Sequence, residues 1–407
     1  MLLLHIQRTF LRLNKGDVSL GRSKKISKLN HNAILLVGMA DSSHFQKWLK
    51  VTQKEFPNRE VLIFPSDRPR LTKEKLGILK PSGKSTRVFR LFPHGKINFF
   101  LYYVLDNLLG LRWRAYFLAR LVMKHKPRII HFHETQHGAY IFNLISTYRG
   151  VPNNSKNIIS TWGSDLTLYS WVDSHESNIR TALSWAEVLT AEKQNEVVDA
   201  QRLGFTGEFK APVFITLGQA LDTNVSIIEP SLRKRILIKG YQDNPGRGLN
   251  ALNAISQLGD ELRDFEVLVY SASEAVRMQV DVLRNKNSIN IKTLKRVSHE
   301  EMQSIFRSSR ISISLAISDG LPGALVEAMQ AGAFPIQSEN SSVADFVVHG
   351  ENGFIVDPWD LEGIKHSIMR ALSESDLVDL AVEHNRSVLK EKYSLTEGTL
   401  KLKELYL

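Results

Sequence analysis

Short runs of consecutive apolar residues recur along the chain. Each is followed by a stretch in which apolar positions return every three to four residues. In the amino-terminal half the runs are Ala33–Gly38 (AILLVG), Glu60–Pro65 (EVLIFP), Arg128–His133 (RIIHFH), Ile158–Trp162 and Glu187–Ala191. A run apolar on both faces suits a strand buried inside a parallel sheet. Helices are expected around His44–Lys54 and over Arg112–Lys126, whereas Thr72–Arg90, polar, basic and without period, reads as a loop. Phe209–Leu217 (FKAPVFITL) reads as the end of this domain. The carboxy-terminal half is more regular. Strands are expected at Arg235–Tyr241, Glu266–Ser271, Ile289–Leu294, Ile311–Ala316, Ala333–Gln337 and Phe354–Val356, with helices at Leu249–Leu258, Glu274–Leu283, His299–Arg307 and Pro322–Ala331 between them. Strands alternating with helices imply parallel sheets with right-handed crossovers. Ligands of such sheets bind outside the carboxyl ends of the strands, so a cleft between two units is the expected site.

The length, 407 residues with 43% hydrophobic content, fits two α/β domains. The divisions expected are a basic extension over 1–32, a first domain over 33–217, a second over 218–388 and a final helix over 389–407. The chain has no cysteine, which excludes disulfides, thiolate catalysis and cysteine-held zinc. Charge divides unevenly: residues 1–130 carry 26 Lys and Arg against 7 Asp and Glu, and the remainder 27 against 35. A strongly basic first part attracts phosphate-rich surfaces, anionic lipid or nucleic acid. No uncharged apolar run is long enough to span a bilayer, and the amphipathic, basic start lacks the features of a secretory signal. Ile97–Leu111 (INFFLYYVLDNLLGL) is either a buried helix or one that dips an apolar face into a membrane interface.

The most informative stretch is 311–358, ISISLAISDGLPGALVEAMQAGAFPIQSENSSVADFVVHGENGFIVDP. A buried strand runs into a Ser318-Asp319-Gly320 turn, and Pro322 suits the first turn of the helix that follows. The backbone N–H groups of Leu321, Gly323 and Ala324 fall at a helix start, where a phosphate binds readily. Gly320 and Gly323 permit close backbone approach. Glu327, one to two turns in, can accept hydrogen bonds from paired hydroxyls such as those of a ribose, and Asp319 faces the next moiety along.

This segment resembles the signature of glycosyltransferase family 4, the group 1 glycosyltransferases: an acid, seven residues, a Glu, then Ala-Met and a Gly before a strand. Here these are Asp319, Glu327, Ala328, Met329 and Gly332, with Gly350, Asn352, Gly353, Val356 and Pro358 following the same pattern. The resemblance, looser before residue 235, covers roughly 33–407. It implies a GT-B fold of two Rossmann-like domains facing a cleft, with a terminal helix crossing back to the first. It also implies that Glu327 holds the ribose and Asp319 lies beside the donor sugar. Asp in place of the family's usual Glu is one methylene shorter. In RILIKGYQDNPGRGL (235–249) the family places basic residues on the donor diphosphate; Arg247 and Lys239 are the ones present, with Tyr241 near the position of the missing Arg.

Two loops of the first domain follow strands and fit the family's acceptor side: HFHETQHG (131–138) and TWGSD (161–165). His133 is assigned a catalytic role there, and Glu134 and Asp165 contacts with the sugar or acceptor. Trp162 stands where the family commonly has His. Ser341, in the loop after the strand Ala333–Gln337, is expected near the donor sugar. The histidines of 131–137 are spaced like metal ligands, but a strand-to-loop setting lacks the geometry of a helical His-Glu-x-x-His site, and no Asp-x-Asp occurs. No metal and no cofactor are therefore expected.

The resemblance implies a retaining glycosyltransferase that takes a UDP- or GDP-sugar. Its acceptor is expected to be a glycan or lipid-linked oligosaccharide of a bacterial surface polysaccharide or lipopolysaccharide pathway. The expected place is the inner face of the cytoplasmic membrane, on anionic lipid. The alternative is a non-catalytic scaffold of the same fold that binds a nucleotide sugar or glycan; a related epimerase would act on the donor alone. A nucleic-acid partner is not expected, since no recognisable binding module is present.

Overall fold

In a computed structural model, described over residues 32–80, 85–93, 95–145, 154–219, 227–243, 245–286, 289–339 and 342–407, the apolar runs form two parallel sheets. The first contains β1 (Ile34–Gly38), β2 (Val61–Pro65), β3 (Thr86–Val88), β4 (Ile129–His133), β5 (Lys156–Ser160), β6 (Val188–Thr190) and β7 (Glu208–Lys210), in the order β3-β2-β1-β4-β5-β6-β7. The second contains β8 (Arg235–Lys239), β9 (Glu266–Tyr270), β10 (Ile291–Thr293), β11 (Ile311–Ser314), β12 (Phe334–Ser338) and β13 (Phe354–Val356), in the order β10-β9-β8-β11-β12-β13. Both are doubly wound, with the order reversing beside the first strand of each.

The strands read as unbroken apolar runs because both faces are covered. Leu35, Val37, Leu62, Phe64, Ile130 and Phe132 go into one core and Ile34, Leu36, Val61, Ile63 and Ile129 into the other, following the two-residue alternation of a strand. The second sheet repeats this: Ile236, Ile238, Ile311 and Ile313 on one face, and Leu237 and Leu268 on the other, where the helix Gly323–Ala331 supplies Ala328 and Ala331.

Two expectations need correction. Thr72–Arg90 is not wholly a loop: it holds a helix, Lys73–Leu79, capped by Thr72, and the edge strand β3. The helix buries only Leu79, so it carries no apolar period, and β3 spans three residues, with Arg87 facing outward to pair with Glu60 at 2.7 Å. Finally, no boundary falls at 388/389, because the helix Ser375–Lys392 runs through it. The break comes at Tyr393, and Ser394 caps the last helix, Leu395–Tyr406, by accepting from the Glu397 N–H at 3.2 Å. The basic extension lies outside the described residues up to 31.

The chain passes between the domains twice, at 211–219 and again at 393–395, and the two passages pair. Gln219 N–H donates to Tyr393 O at 3.0 Å and Leu395 N–H to Gln219 O at 3.3 Å. Glycines allow the contact. A Cβ on Gly218, at φ +81°, would lie 2.5 Å from Ser394 O, and one on Gly398 would lie 2.0 Å from Leu217 O. Phe214 packs on Phe346 and Tyr393 in the second domain, and the final helix places Leu402, Leu405 and Tyr406 in a core of the first.

Tyr406 completes a buried polar chain. The Trp48 indole N–H donates to its hydroxyl at 3.0 Å, the hydroxyl meets His131 Nδ1 at 2.7 Å, and His131 Nε2 meets Ser160 Oγ at 2.7 Å. Burial holds His131 neutral, well below its ordinary pKa, which fits a ring that accepts at Nδ1 and donates at Nε2. Tyr406→Phe strands both Trp48 and His131, and a buried unpaired polar group costs about 1–3 kcal/mol. Urea unfolding of this variant is expected to show a loss of about 2–4 kcal/mol for the pair, with the far-UV spectrum unchanged; an unaltered midpoint would show that the chain does not anchor the last helix.

Candidate active site

The signature segment folds as strand, turn and helix. β11 ends at Ser314, and the turn carries Ser318, Asp319 and Gly320 into the helix Gly323–Ala331. The first bonds inside that helix run from Leu325 and Val326 N–H to Pro322 O, at 3.0 and 3.3 Å. The N–H groups of Gly323 and Ala324 therefore sit at the open, positive end of the helix. A Cβ on Gly323 would meet nothing within 4 Å, so that approach is clear. Asp319 accepts from its neighbour's Gly320 N–H at 2.9 Å, which holds its carboxylate across the turn. Leu321 departs from expectation. Its N–H donates to the Glu192 carboxylate of the first domain at 2.7 Å and is already engaged.

Glu327 is mostly buried, and desolvation raises its pKa above the ordinary carboxylate range. Three basic groups oppose that shift: His299, whose Nδ1 lies 3.9 Å away, Lys47 of the first domain, and Lys239 at the end of β8. Lys239 lies near enough to Glu327 for its charge to be felt there. Arg247 precedes the helix Gly248–Ser256, but its guanidinium turns onto its own loop. It donates to Asp243 O at 3.0 Å and Gly246 O at 2.7 Å and stacks on Trp359 with 4.7 Å to the ring centroid.

On the first domain's side the structure sorts the residues differently. His133 ends β4 and is buried against Phe45, Trp48 and His131, whose ring stacks on it at 4.3 Å. Burial drives its pKa down to about 3. A ring so enclosed cannot meet an acceptor directly, which corrects its assignment as a catalytic group. Glu134 holds a strained φ of 80° and accepts from Ser66 Oγ and from His137 Nδ1, each at 3.2 Å. It is raised by burial, and His137 is raised by Glu134 in turn. Asp165 is fully buried and structural, accepting from the N–H groups of Thr135 and Trp162. It ties the TWGSD loop to HETQHG rather than contacting a ligand, since its oxygens are spent. Ser341 lies outside the described residues. Among the described residues no group of three or more His, Asp or Glu is placed to hold a metal ion.

The comparisons fit this geometry. Residues 250–388 match the sequence profile of the glycosyl transferases group 1. That match covers most of the second domain. Over 164 residues the chain is 23% identical to the 2-deoxystreptamine N-acetyl-D-glucosaminyltransferase of Niallia circulans, a match spanning 40% of this chain and 42% of that relative. The whole fold aligns with sucrose-phosphate synthase of Thermosynechococcus elongatus (TM-score 0.70, 14% identity, 92% of this chain and 98% of that one). It aligns also with Anabaena HepE solved with UDP and glucose (TM-score 0.65, 12% identity, 92% and 99%). The arrangement of two Rossmann-like domains is GT-B.

Sequence reading missed four contributors to the cleft of this glycosyltransferase fold. His44 and Lys47 project from the first-domain helix Ser43–Glu55 near enough to feel Asp319 and Glu327. Gly163 meets Gly320 backbone to backbone: a Cβ on Gly163 would lie 2.1 Å from Gly320 N. Glu192, after β6, reaches the signature loop itself. A helix with a single His-x-x-Lys on its polar side, or a lone Glu after a strand, carries no local signal of such a role.

Glu196, one turn beyond Glu192, is 1% exposed and takes one hydrogen bond, from Thr161 Oγ1 at 3.1 Å. Burial raises it from 4.5 to about 8. A carboxyl whose folded pKa lies above its unfolded value contributes stability below the unfolded pKa and loses it as pH rises through the folded one. Glu196→Gln removes this titration. Relative to wild type, the variant is expected to gain stability steadily between pH 5 and pH 8 in urea unfolding; a difference constant with pH would contradict the buried neutral acid.

Proposed function

We propose that this chain is a retaining glycosyltransferase that moves a sugar from a UDP- or GDP-sugar to a glycan or lipid-linked oligosaccharide. The observation that carries the reading is the run from Asp319 to Glu327: a turn acid, an open helix start at Gly323 and Ala324, and a half-buried Glu with cations around it. Glu327 receives the ribose hydroxyls, Gly323 and Ala324 N–H hold the phosphates, and Lys239 and Lys47 add positive charge. Asp319 lies beside the sugar. In the transfer the bond from C1 to the β-phosphate oxygen breaks, the acceptor oxygen bonds C1 on the same face, and the acceptor proton passes to the departing phosphate. The helix terminus and the basic side chains steady that leaving group without a metal. Arg247 swings from its loop carbonyls to join them.

Calorimetric titration with UDP, GDP, ADP and dTDP, with and without magnesium, tests the donor site; UDP-N-acetylglucosamine belongs in the series because of the relative's activity. One nucleotide is expected to saturate, and Glu327→Ala to weaken it about 10- to 100-fold, since hydrogen bonds to a charged acceptor are worth about 1.5–3 kcal/mol. No binding by any nucleotide would sink the reading, and a strict magnesium requirement would overturn the metal-free step. Binding without turnover of any donor would favour the non-catalytic scaffold, a role that the engaged Arg247 and Leu321 suit.

The acceptor is proposed to lie on an anionic membrane, the inner face of the cytoplasmic membrane in a surface-polysaccharide or lipopolysaccharide pathway. No helix among the described residues is long and apolar enough to cross a bilayer. The helix Gly95–Leu109, however, exposes Ile97, Phe100 (62%), Tyr103 and Leu108 (60%), flanked by the exposed Arg68, Arg70, Arg90, Lys96 and Arg112. Apolar ridges with basic borders suit an interfacial site. Phe100→Asp with Leu108→Asp is expected to cut binding to vesicles of one-third anionic lipid at least tenfold while leaving nucleotide affinity unchanged. Undiminished vesicle binding would remove this helix from the proposal.

A further inference from the structure

Glu192 joins three parts of the molecule that are far apart in sequence. It follows β6 in the first domain and is 3% exposed. One carboxylate oxygen, Oε1, accepts from Ile215 N–H at 2.9 Å, in the first passage between the domains. The other, Oε2, accepts from Leu321 N–H at 2.7 Å, in the signature loop of the second domain. The surroundings are shaped to it. Gly320 has no side chain where a Cβ would lie 1.9 Å from Oε2, and Gly163 closes over the same glycine from the first domain. Beside them Thr167 and Ser318 share a hydrogen bond across the cleft at 3.0 Å.

We propose that Glu192 is a positioning residue, a carboxylate clasp that holds the two domains closed and so sets Asp319 and the signature loop against the acceptor-side loop. This rests on the donor-site reading for its catalytic consequence, but not for the clasp itself. A carboxylate suits the place because two N–H donors approach it from two directions, one for each oxygen. A glutamine of the same size offers one acceptor; its amide nitrogen would face the second N–H, donor against donor. The side chain touches neither of the groups assigned to ribose or phosphate, so its removal changes the alignment of the loop rather than the donor-binding face.

The cysteine-free chain allows a clean measurement. Lys54→Cys in the first domain and Arg263→Cys in the second, both exposed, carry a fluorophore pair that reports the distance between domains by energy transfer. In that background Glu192→Gln and Glu192→Ala are compared with Glu192 intact. Both variants are expected to shift the population to longer distances, and Glu192→Gln to behave like Glu192→Ala despite its size. UDP or GDP affinity, whichever the intact protein shows, is expected to stay within threefold, and donor turnover to fall at least tenfold in kcat with KM little changed. An unchanged distance in Glu192→Gln would overturn the clasp, since a residue that merely fills space tolerates an isostere. A lengthened distance with unchanged kcat would overturn its positioning role. Absence of nucleotide binding in the intact protein would instead defeat the donor-site reading, and the distance measurement would still decide the clasp.

Discussion

Everything in this molecule depends on two strands of backbone running side by side where the domains join. Gln219 and Ser394 pair across that junction, and Gly218 and Gly398 have no side chains to keep the backbones apart. The consequence is an exchange of cores. Phe214, from the passage that leaves the first domain, is buried among Leu325, Val326 and Phe346 of the second. Leu402, Leu405 and Tyr406, from the passage that returns, are buried in the first. Each domain therefore lacks part of its interior without the other's crossing segment. The junction lies at one side of the cleft, and the carboxyl ends of both sheets face each other beyond it.

The fold was legible wherever a strand is covered on both faces. AILLVG, EVLIFP and RIIHFH are apolar without interruption because alternate residues serve opposite cores, and each proved a central strand within a residue or two. The edge was not legible. β3 presents Arg87 outward and needs only two inward residues, and the helix before it buries one leucine, so neither leaves an apolar trace. The helix boundary near residue 389 failed for a related reason. Ser375–Lys392 buries Val378, Ala381, Val382, Asn385 and Leu389 in sequence, and nothing in that period marks where the domain ends.

The site divides in the same way. The strand, turn and helix that carry Asp319 and Glu327 were legible because they form one local segment, whose spacing carries its geometry. The acceptor side is assembled from separate loops. There a residue's type says little about its use. Asp165 looks available and is consumed by Thr135 and Trp162; His133 looks catalytic and is sealed among aromatic rings. Glu192 looked like nothing at all, because its partners, Ile215 and Leu321, lie 23 and 129 residues away.

A cleft proposed to take a diphosphate is lined by carboxyls, and that calls for a physical resolution. On the first domain's side it is burial. Burial raises Glu134 and carries Glu196 to about 8, which favours the neutral form of each, while Glu192 is held by its two N–H donors. On the second domain's side it is compensation. Glu327 keeps three basic neighbours, one of them, Lys47, from the other domain. In the donor site proposed above, positive potential at the phosphates comes from the helix start at Gly323 and from the lysines. Hydroxyl-rich groups and an anionic leaving group can share such a space, because the acids that would repel the anion are either buried or already paired. The same argument explains why the clasp and the signature glycine belong together: a carboxylate can close on a loop N–H at the mouth of an anion site only where no side chain intervenes, and Gly320 is that position.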